Sequence, residues 1–248
     1  LAGTAVLGRL TWLVAEVVEA QMETPRVRTL VLDVPGWQDH RAGQHVDVRL
    51  TAEDGYQAER SYSIASAPGE PPVITVERLE DGEVSPYLVE VAEEGDRFEL
   101  RGPIGGYFVW DAATAREPLL LVAGGSGVVP FRSMLRHRAA AGVSISTTLL
   151  YSSRTYEDLI YREELDELVA HGDGLTVVQT LTREQPPGWT GYSRRVDADL
   201  LREVALPPEQ DPRVYVCGPT SFAEAVADGL VALGHEAGRI RIERFGGT

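Results

Sequence analysis

The stretch RSYSIASAP, Arg60 to Pro68, gathers residue types that bind anions and flat rings: a guanidinium, a phenol and two hydroxyls side by side. Strand alternation sets Arg60, Tyr62 and Ile64 on one face and Ser61 and Ser63 on the other. Taken alone, the segment also reads as a half-exposed strand with a solvated arginine. Three other groups share this double reading. GGSGVVP, with Gly124, Gly125, Ser126, Gly127 and Pro130, lies between an apolar run and a helical segment. There, backbone amides and a helix N-terminus face a phosphate, or the glycines simply make a tight turn. CGPTSF follows the run RVYV, so Cys217, Gly218 and Pro219 stand at the carboxyl end of a strand, the edge where parallel sheets bind ligands. A lone cysteine there also serves as a small apolar residue. In GEVSPYL, with Gly82, Val84 and Ser85, the serine before Pro86 reads as the N-cap of a short helix, either an ordinary cap or one presented to an anion. GPIGGYF, Gly102 to Phe108, is a tight turn or a close backbone approach to a ligand.

Arginines follow the second and third apolar runs of the second half. YSSR ends at Arg154, and LTREQPPGWTGYSRR holds Thr182, Arg183, Arg194 and Arg195. Guanidinium groups match phosphate geometry, so their place at strand ends suits a phosphate, with solvated surface arginines as the alternative.

These groups need elements to hold them. Before about Asp111 the chain reads as short alternating segments, LTWLVAEVVEA, RVRTLVLDV, HVDVRLT, RSYSIAS, VITVERL and DRFELRG, separated by PG, DG and GD turns. That pattern predicts an antiparallel barrel or sandwich, interrupted by the one short helix at SPYLVEVA. Beyond it, apolar runs alternate with helical segments: PLLLVAGG with PFRSMLRHRAAAG, SISTTLLYSS with YREELDELVAHG, LTVVQTL with VDADLLREVA, and RVYVCGP with SFAEAVADGLVALG. Continuous apolar strands between helices predict a parallel sheet covered on both faces. The boundary falls within residues 111–117, where DAATARE is polar and small.

Composition narrows the chemistry. With 248 residues the chain accommodates two domains, each with its own core. Its net charge of -15 argues against sequence-independent nucleic-acid binding. No apolar run approaches the roughly 20 residues of a membrane helix, and LAGTAVLGRLTWL lacks the basic start and cleavage pattern of a secretory leader. The expected compartment is therefore the cytoplasm. Cys217 is the single cysteine, which excludes an internal disulfide and a four-cysteine iron-sulfur cluster within these residues. The five histidines show no ligand spacing, so no metal site is expected.

Taken in order, RSYS, GEVS, GPIGGYF, GGSGVVP, CGPTSF and ERFGG resemble the flavin-dependent ferredoxin-NADP reductase family over nearly the whole chain. The resemblance implies an antiparallel β-barrel FAD-binding domain, residues 1–112, followed by an α/β parallel-sheet, Rossmann-like NAD(P)-binding domain, residues 113–248. It implies that Arg60 meets the FAD pyrophosphate, Tyr62 lies along the isoalloxazine and Ser63 faces flavin N5. Ser61, Ile64, Val76, Arg78 and Val84 line the same cofactor, and Gly82 with Ser85 gives a second phosphate contact. By the same resemblance Gly124, Gly125, Ser126, Gly127 and Pro130 receive the nicotinamide nucleotide, with Cys217, Gly218, Pro219 and Glu243 beside the nicotinamide. Ser63, Cys217 and Glu243 are the expected catalytic residues, and Phe245 is expected to cover part of the flavin, where plant-type members end in an aromatic.

Relatives that prefer NADPH carry a Ser-Arg-Glu-Gln stretch, and Thr182 and Arg183 match its first two positions. Arg194, Arg195 and Arg154 add cations, so NADPH is expected over NADH, with Glu184 the one feature favouring NADH. The implied activity is an FAD-dependent NAD(P)H oxidoreductase, a monomer without a metal site, that passes electrons to a separate acceptor protein such as a ferredoxin or an oxygenase component. Two other readings stand beside it: a reductase using flavin as a diffusible substrate, and a redox-inert FAD-binding regulatory subunit.

Overall fold

The computed structural model describes residues 10–246; the first nine residues, on which part of the leader reading falls, and residues 247–248 of the terminal ERFGGT lie outside the described residues. The alternating segments become β1 (Leu13–Thr24), β2 (Val27–Asp33), β3 (His45–Thr51), β4 (Gln57–Ser63), β5 (Val73–Glu77) and β6 (Arg97–Ile104). They form one antiparallel sheet in the order β4-β3-β6-β1-β2-β5. Its two edges meet through a bridge between Ile64 and Ile74, reinforced where Ala65 N donates to Val73 O at 2.8 Å, so the sheet closes into a barrel. Alternation fills the interior with Ala15, Val17, Leu30, Val46, Val48, Ile74, Val76 and Leu100.

The second half forms a parallel sheet of β7 (Leu119–Gly124), β8 (Thr147–Ser153), β9 (Leu175–Leu181), β10 (Arg213–Pro219) and β11 (Ile240–Phe245), ordered β11-β10-β7-β8-β9. Helices α1 (Val129–Ala140), α2 (Arg162–Ala170), α3 (Ala198–Val204) and α4 (Thr220–Ala232) link the strands. Burial on both faces is why β7 reads as an unbroken apolar run: Leu119, Leu121 and Ala123 pack toward α1, Leu120 and Val122 toward α3 and α4. Strand β11 is an element that the run-and-helix pattern did not include. It adds at the sheet edge, where its charged residues have a solvent side.

The short helix after GEVS differs from expectation. It is a single π-helical turn, Tyr87–Val91, and Ser85 does not cap it. Ser85 already has helical backbone, whereas an N-cap residue stays extended; its hydroxyl turns back and accepts a hydrogen bond from Leu79 N at 3.0 Å, bracing the loop.

One apolar core spans the seam between the two sheets, joining Ala65, Val73, Phe108 and Trp110 to β7 and α1. A buried polar chain crosses the same seam. Tyr161, held in the left-handed region at φ 59°, donates to Thr75 Oγ1; Thr75 lies 2.8 Å from Thr29 Oγ1, and Thr29 donates to Glu23 Oε1 at 2.7 Å. Each hydroxyl has one proton, so the donors all point the same way and terminate on the carboxylate. Tyr161→Phe removes the first link while leaving Thr75 bonded to Thr29. Urea denaturation is expected to show a loss of about 1–2 kcal/mol for this variant, and an unchanged midpoint would show the contact to be energetically neutral.

Candidate functional site

Sequence-separated groups converge at the carboxyl edge of the parallel sheet. Cys217 in β10 sits in register between Ala123 of β7 and Glu243 of β11. The glycine segment makes a tight turn, Gly125–Val128, that leads into α1 with Pro130 in its first turn. A Cβ on Gly127 would fall 2.1 Å from Cys217 O and 2.9 Å from Gly218 N, so only glycine lets this turn rest on the Cys217 backbone. The Phe222 ring lies against Gly124 and Gly218, locking GGSG and CGPTSF into one floor. Pro219 is the N-cap of α4, so the N-termini of α1 and α4 open on the same edge.

Two groups there titrate abnormally. Burial raises the Cys217 thiol well above its ordinary range, with the neighbouring Glu243 charge adding to it. Burial likewise pushes Glu243 up to about 7. Phe245 at the end of β11 pairs in register with Pro219 and is partly buried against the seam core.

The barrel residues lie on and around β4. Tyr62 is half-buried against the barrel core, and burial raises its phenol; Ile64 is buried at the closing bridge. Ser63 pairs in register with His45. Ser61 Oγ donates to Asp47 Oδ1 at 2.6 Å, on the strand face away from Tyr62. Val76 and Val84 are fully buried in the barrel core. Arg78 is turned to the π-turn, with Nε 2.5 Å from Glu90 Oε1. Arg60 is exposed, bonded to Glu59 O at 2.7 Å, with Glu83 Oε2 3.5 Å away; Glu83 also accepts from Tyr56 OH at 2.6 Å.

These residues fit a phosphate-bearing flavin. A guanidinium on the rim is matched only loosely by a carboxylate, which occupies the position an anion would take. Beside it Gly82 lets the loop close on Ser85, since a Cβ there would fall 2.7 Å from Ser85 Oγ.

The arginine group divides in two. Arg183 N donates to Arg154 O at 2.9 Å and Thr182 N to Ser153 O at 3.0 Å, which brings Thr182, Arg183 and Arg154 together across the ends of β8 and β9. Arg154, Arg183 and Arg195 are exposed, and among the described residues none has a carboxylate within 4.0 Å. Arg194 is instead held by Glu203 at 2.6 Å, a carboxylate that the last turn of α3 brings back to it.

Sequence reasoning missed four contributors. Glu77 accepts from Ser126 Oγ at 2.7 Å across the seam, Glu83 partners Arg60, Tyr161 reaches Thr75, and Phe222 backs the two glycines. Phe222 alone had a local signal, since CGPTSF places it one helical turn beyond Gly218.

The raised Glu243 carboxyl gives a pH dependence with a definite sign. Between its ordinary value of 4.5 and about 7 the folded protein holds a proton that the unfolded chain releases. The stabilisation is therefore complete below about pH 4.5 and is lost as pH rises through 7. Glu243→Gln is expected to gain stability relative to the parent protein on going from pH 5 to pH 8, by at most about 3 kcal/mol. Urea titrations at both pH values check this; a constant difference would show that the carboxyl titrates normally.

Comparison with known proteins matches the two halves separately. Residues 14–109 match the oxidoreductase FAD-binding domain and residues 121–228 the oxidoreductase NAD-binding domain. The chain is 37% identical over 213 residues to ferredoxin-NADP reductase B of Sorangium cellulosum, covering 82% of this chain and 84% of that protein. It is 31% identical over 237 residues to the glycine betaine monooxygenase reductase subunit of Chromohalobacter salexigens, covering 93% of this chain but only 63% of the relative's length. The structure of the FAD/NAD-binding domain of nitric oxide dioxygenase from Vibrio cholerae superposes with a TM-score of 0.85 at 28% identity, covering 95% of this chain and 99% of that one. Among the described residues no helix is long and apolar enough to cross a membrane. A closed antiparallel barrel joined to a parallel sheet, with both family matches in that order and a relative covered to 84% of its length at this identity, places the chain in the ferredoxin-NADP reductase family of FAD- and NAD-binding oxidoreductases.

Proposed function

We propose that this chain takes electrons from NAD(P)H onto bound FAD and delivers them to a separate protein acceptor. One observation carries the reading: Ser126 of the glycine turn is hydrogen-bonded at 2.7 Å to Glu77 of β5, a strand that closes the barrel beside β4. The two candidate sites therefore adjoin.

FAD, when bound, supplies the chemistry of accepting a hydride and releasing electrons singly. Arg60, Gly82 and Ser85 hold its pyrophosphate side on this reading, and Tyr62 presents a flat, half-buried phenol to the ring. Ser63 donates a hydrogen bond where the hydride arrives. On the opposite side the Gly125–Val128 turn and the N-terminus of α1 take the nucleotide phosphates through backbone N–H groups. Cys217 and Glu243 flank the nicotinamide; a buried, protonated thiol and a carboxyl near neutrality keep that pocket free of full charge. Arg154, Arg183 and Thr182 are placed for a 2′-phosphate, which favours NADPH over NADH. The division at residues 112 and 113 rests on the interval between Ile104, which ends β6, and Leu119, which opens β7.

The acceptor is a ferredoxin or an oxygenase component, in keeping with the relative named as a monooxygenase reductase subunit. A second reading, flavin as a diffusible substrate, draws on Glu83, whose carboxylate competes for Arg60.

Anaerobic titration of the purified, FAD-loaded protein decides between them. Flavin that survives gel filtration and bleaches with one equivalent of NADPH supports the proposal, whereas flavin lost on the column selects the diffusible reading. Arg60→Ala is expected to weaken FAD binding by about tenfold or more, as loss of a charge-assisted bond would. Arg183→Ala should lower kcat/KM for NADPH by a similar factor and leave NADH within about twofold, since only NADPH has the phosphate. Equal losses with both nucleotides would remove the 2′-phosphate role.

A further inference from the structure

The hydrogen bond between Ser126 and Glu77 does more than join two domains. Ser126 is the one side chain with a polar group in the Gly125–Val128 turn, and it precedes Gly127, whose backbone rests on Cys217. A serine hydroxyl has a single proton, and here it is given to the Glu77 carboxylate at 2.7 Å. Ser126 Oγ can then meet a ligand only through its lone pairs.

The backbone that carries Glu77 is held in place. Val73, Thr75 and Glu77 alternate along one face of β5, and the first two are fixed at the same seam: Val73 in the apolar core that includes α1, Thr75 by the Tyr161 hydroxyl. The carboxylate is thus delivered by a strand anchored on both sides.

From this we propose that Glu77 sets Ser126 as a hydrogen-bond acceptor for the carboxamide N–H of the nicotinamide, with Ser126 the contact and Glu77 the positioning residue. This rests on the reading that the nucleotide occupies the carboxyl edge of the parallel sheet. A phosphate, an acceptor only, is refused by such an oxygen and is left to the backbone N–H groups; a neutral N–H donor is welcomed. The residue beside the Cys217 junction is therefore suited to the ring end of the nucleotide and not to its pyrophosphate. If Ser126 bonded nothing, its hydroxyl would rotate to suit either partner and could not discriminate.

The test compares a nucleotide with an analogue that lacks only the donor. Calorimetric dissociation constants are measured on the FAD-loaded protein for NADP+ and for 3-acetylpyridine adenine dinucleotide phosphate, in which a methyl replaces the amide nitrogen. Equilibrium binding of the oxidised forms keeps the analogue's different redox potential out of the comparison. The parent protein is expected to prefer NADP+ by about tenfold, the value of one well-made hydrogen bond. Ser126→Ala and Glu77→Ala should each bring that ratio to within about twofold of one, with FAD content unchanged, while Glu77→Gln, whose amide oxygen still accepts, should keep most of the preference. A preference that survives Ser126→Ala overturns the contact, and one that survives Glu77→Ala overturns the positioning role. If neither NADP+ nor NAD+ binds at all, the reading of the edge fails and this assignment falls with it.

Discussion

Strand β5 has no solvent side. Ile74 and Val76 point into the barrel core, and Val73, Thr75 and Glu77 point at the neighbouring sheet. Five residues thus carry the close of the barrel at the Ile64 bridge, the core contact to α1, and two polar links across the seam. Any shift of β5 by one position would exchange the faces, putting the polar residues in the barrel and the apolar ones at the seam. That register is the condition on which the relative placement of the two candidate sites depends.

Charge is distributed to the same end. The chain is strongly acidic, yet many of its arginines are engaged structurally: Arg136 between Glu70 and Glu164, Arg49 with Glu99, Arg138 with Asp173. Arg132 and Arg136 bond α1 to Glu164, while Arg136 also reaches the barrel-side loop through Glu70. Arg154 and Arg183, brought together at the ends of β8 and β9, are exposed and have no carboxylate within 4.0 Å among the described residues. Surface arginines without partners contribute little to stability, so the fold by itself does not call for them at these strand ends.

Much of the architecture was legible because the two halves obey different periodicities. Alternation in HVDVRLT reflects one wet and one dry face, and the unbroken PLLLVAGG reflects two dry ones. Strand β11 was not, since IRIERF is short, mixes apolar and charged residues, and lacks a following helix. At the candidate sites, segments rich in glycine, arginine and serine were visible because close approach and phosphate geometry restrict residue type. Their partners were not. Glu77 lies 49 residues from Ser126 and Tyr161 lies 86 from Thr75, and a glutamate or tyrosine at those places has no local pattern that marks it. The Ser85 cap failed for a related reason: Ser-Pro is a good helix start, but a loop amide at Leu79 competed for the hydroxyl.

The burial of Cys217 has a bearing on chemical durability. Flavin reductases meet molecular oxygen, and electrons that stray to it yield peroxide, which attacks thiolates far faster than thiols. Only 3% of Cys217 is exposed, and both burial and the Glu243 charge disfavour its ionisation. The single sulfhydryl of these residues is thereby kept in its least oxidisable form. Its reaction with alkylating reagents would stand well below that of a free cysteine.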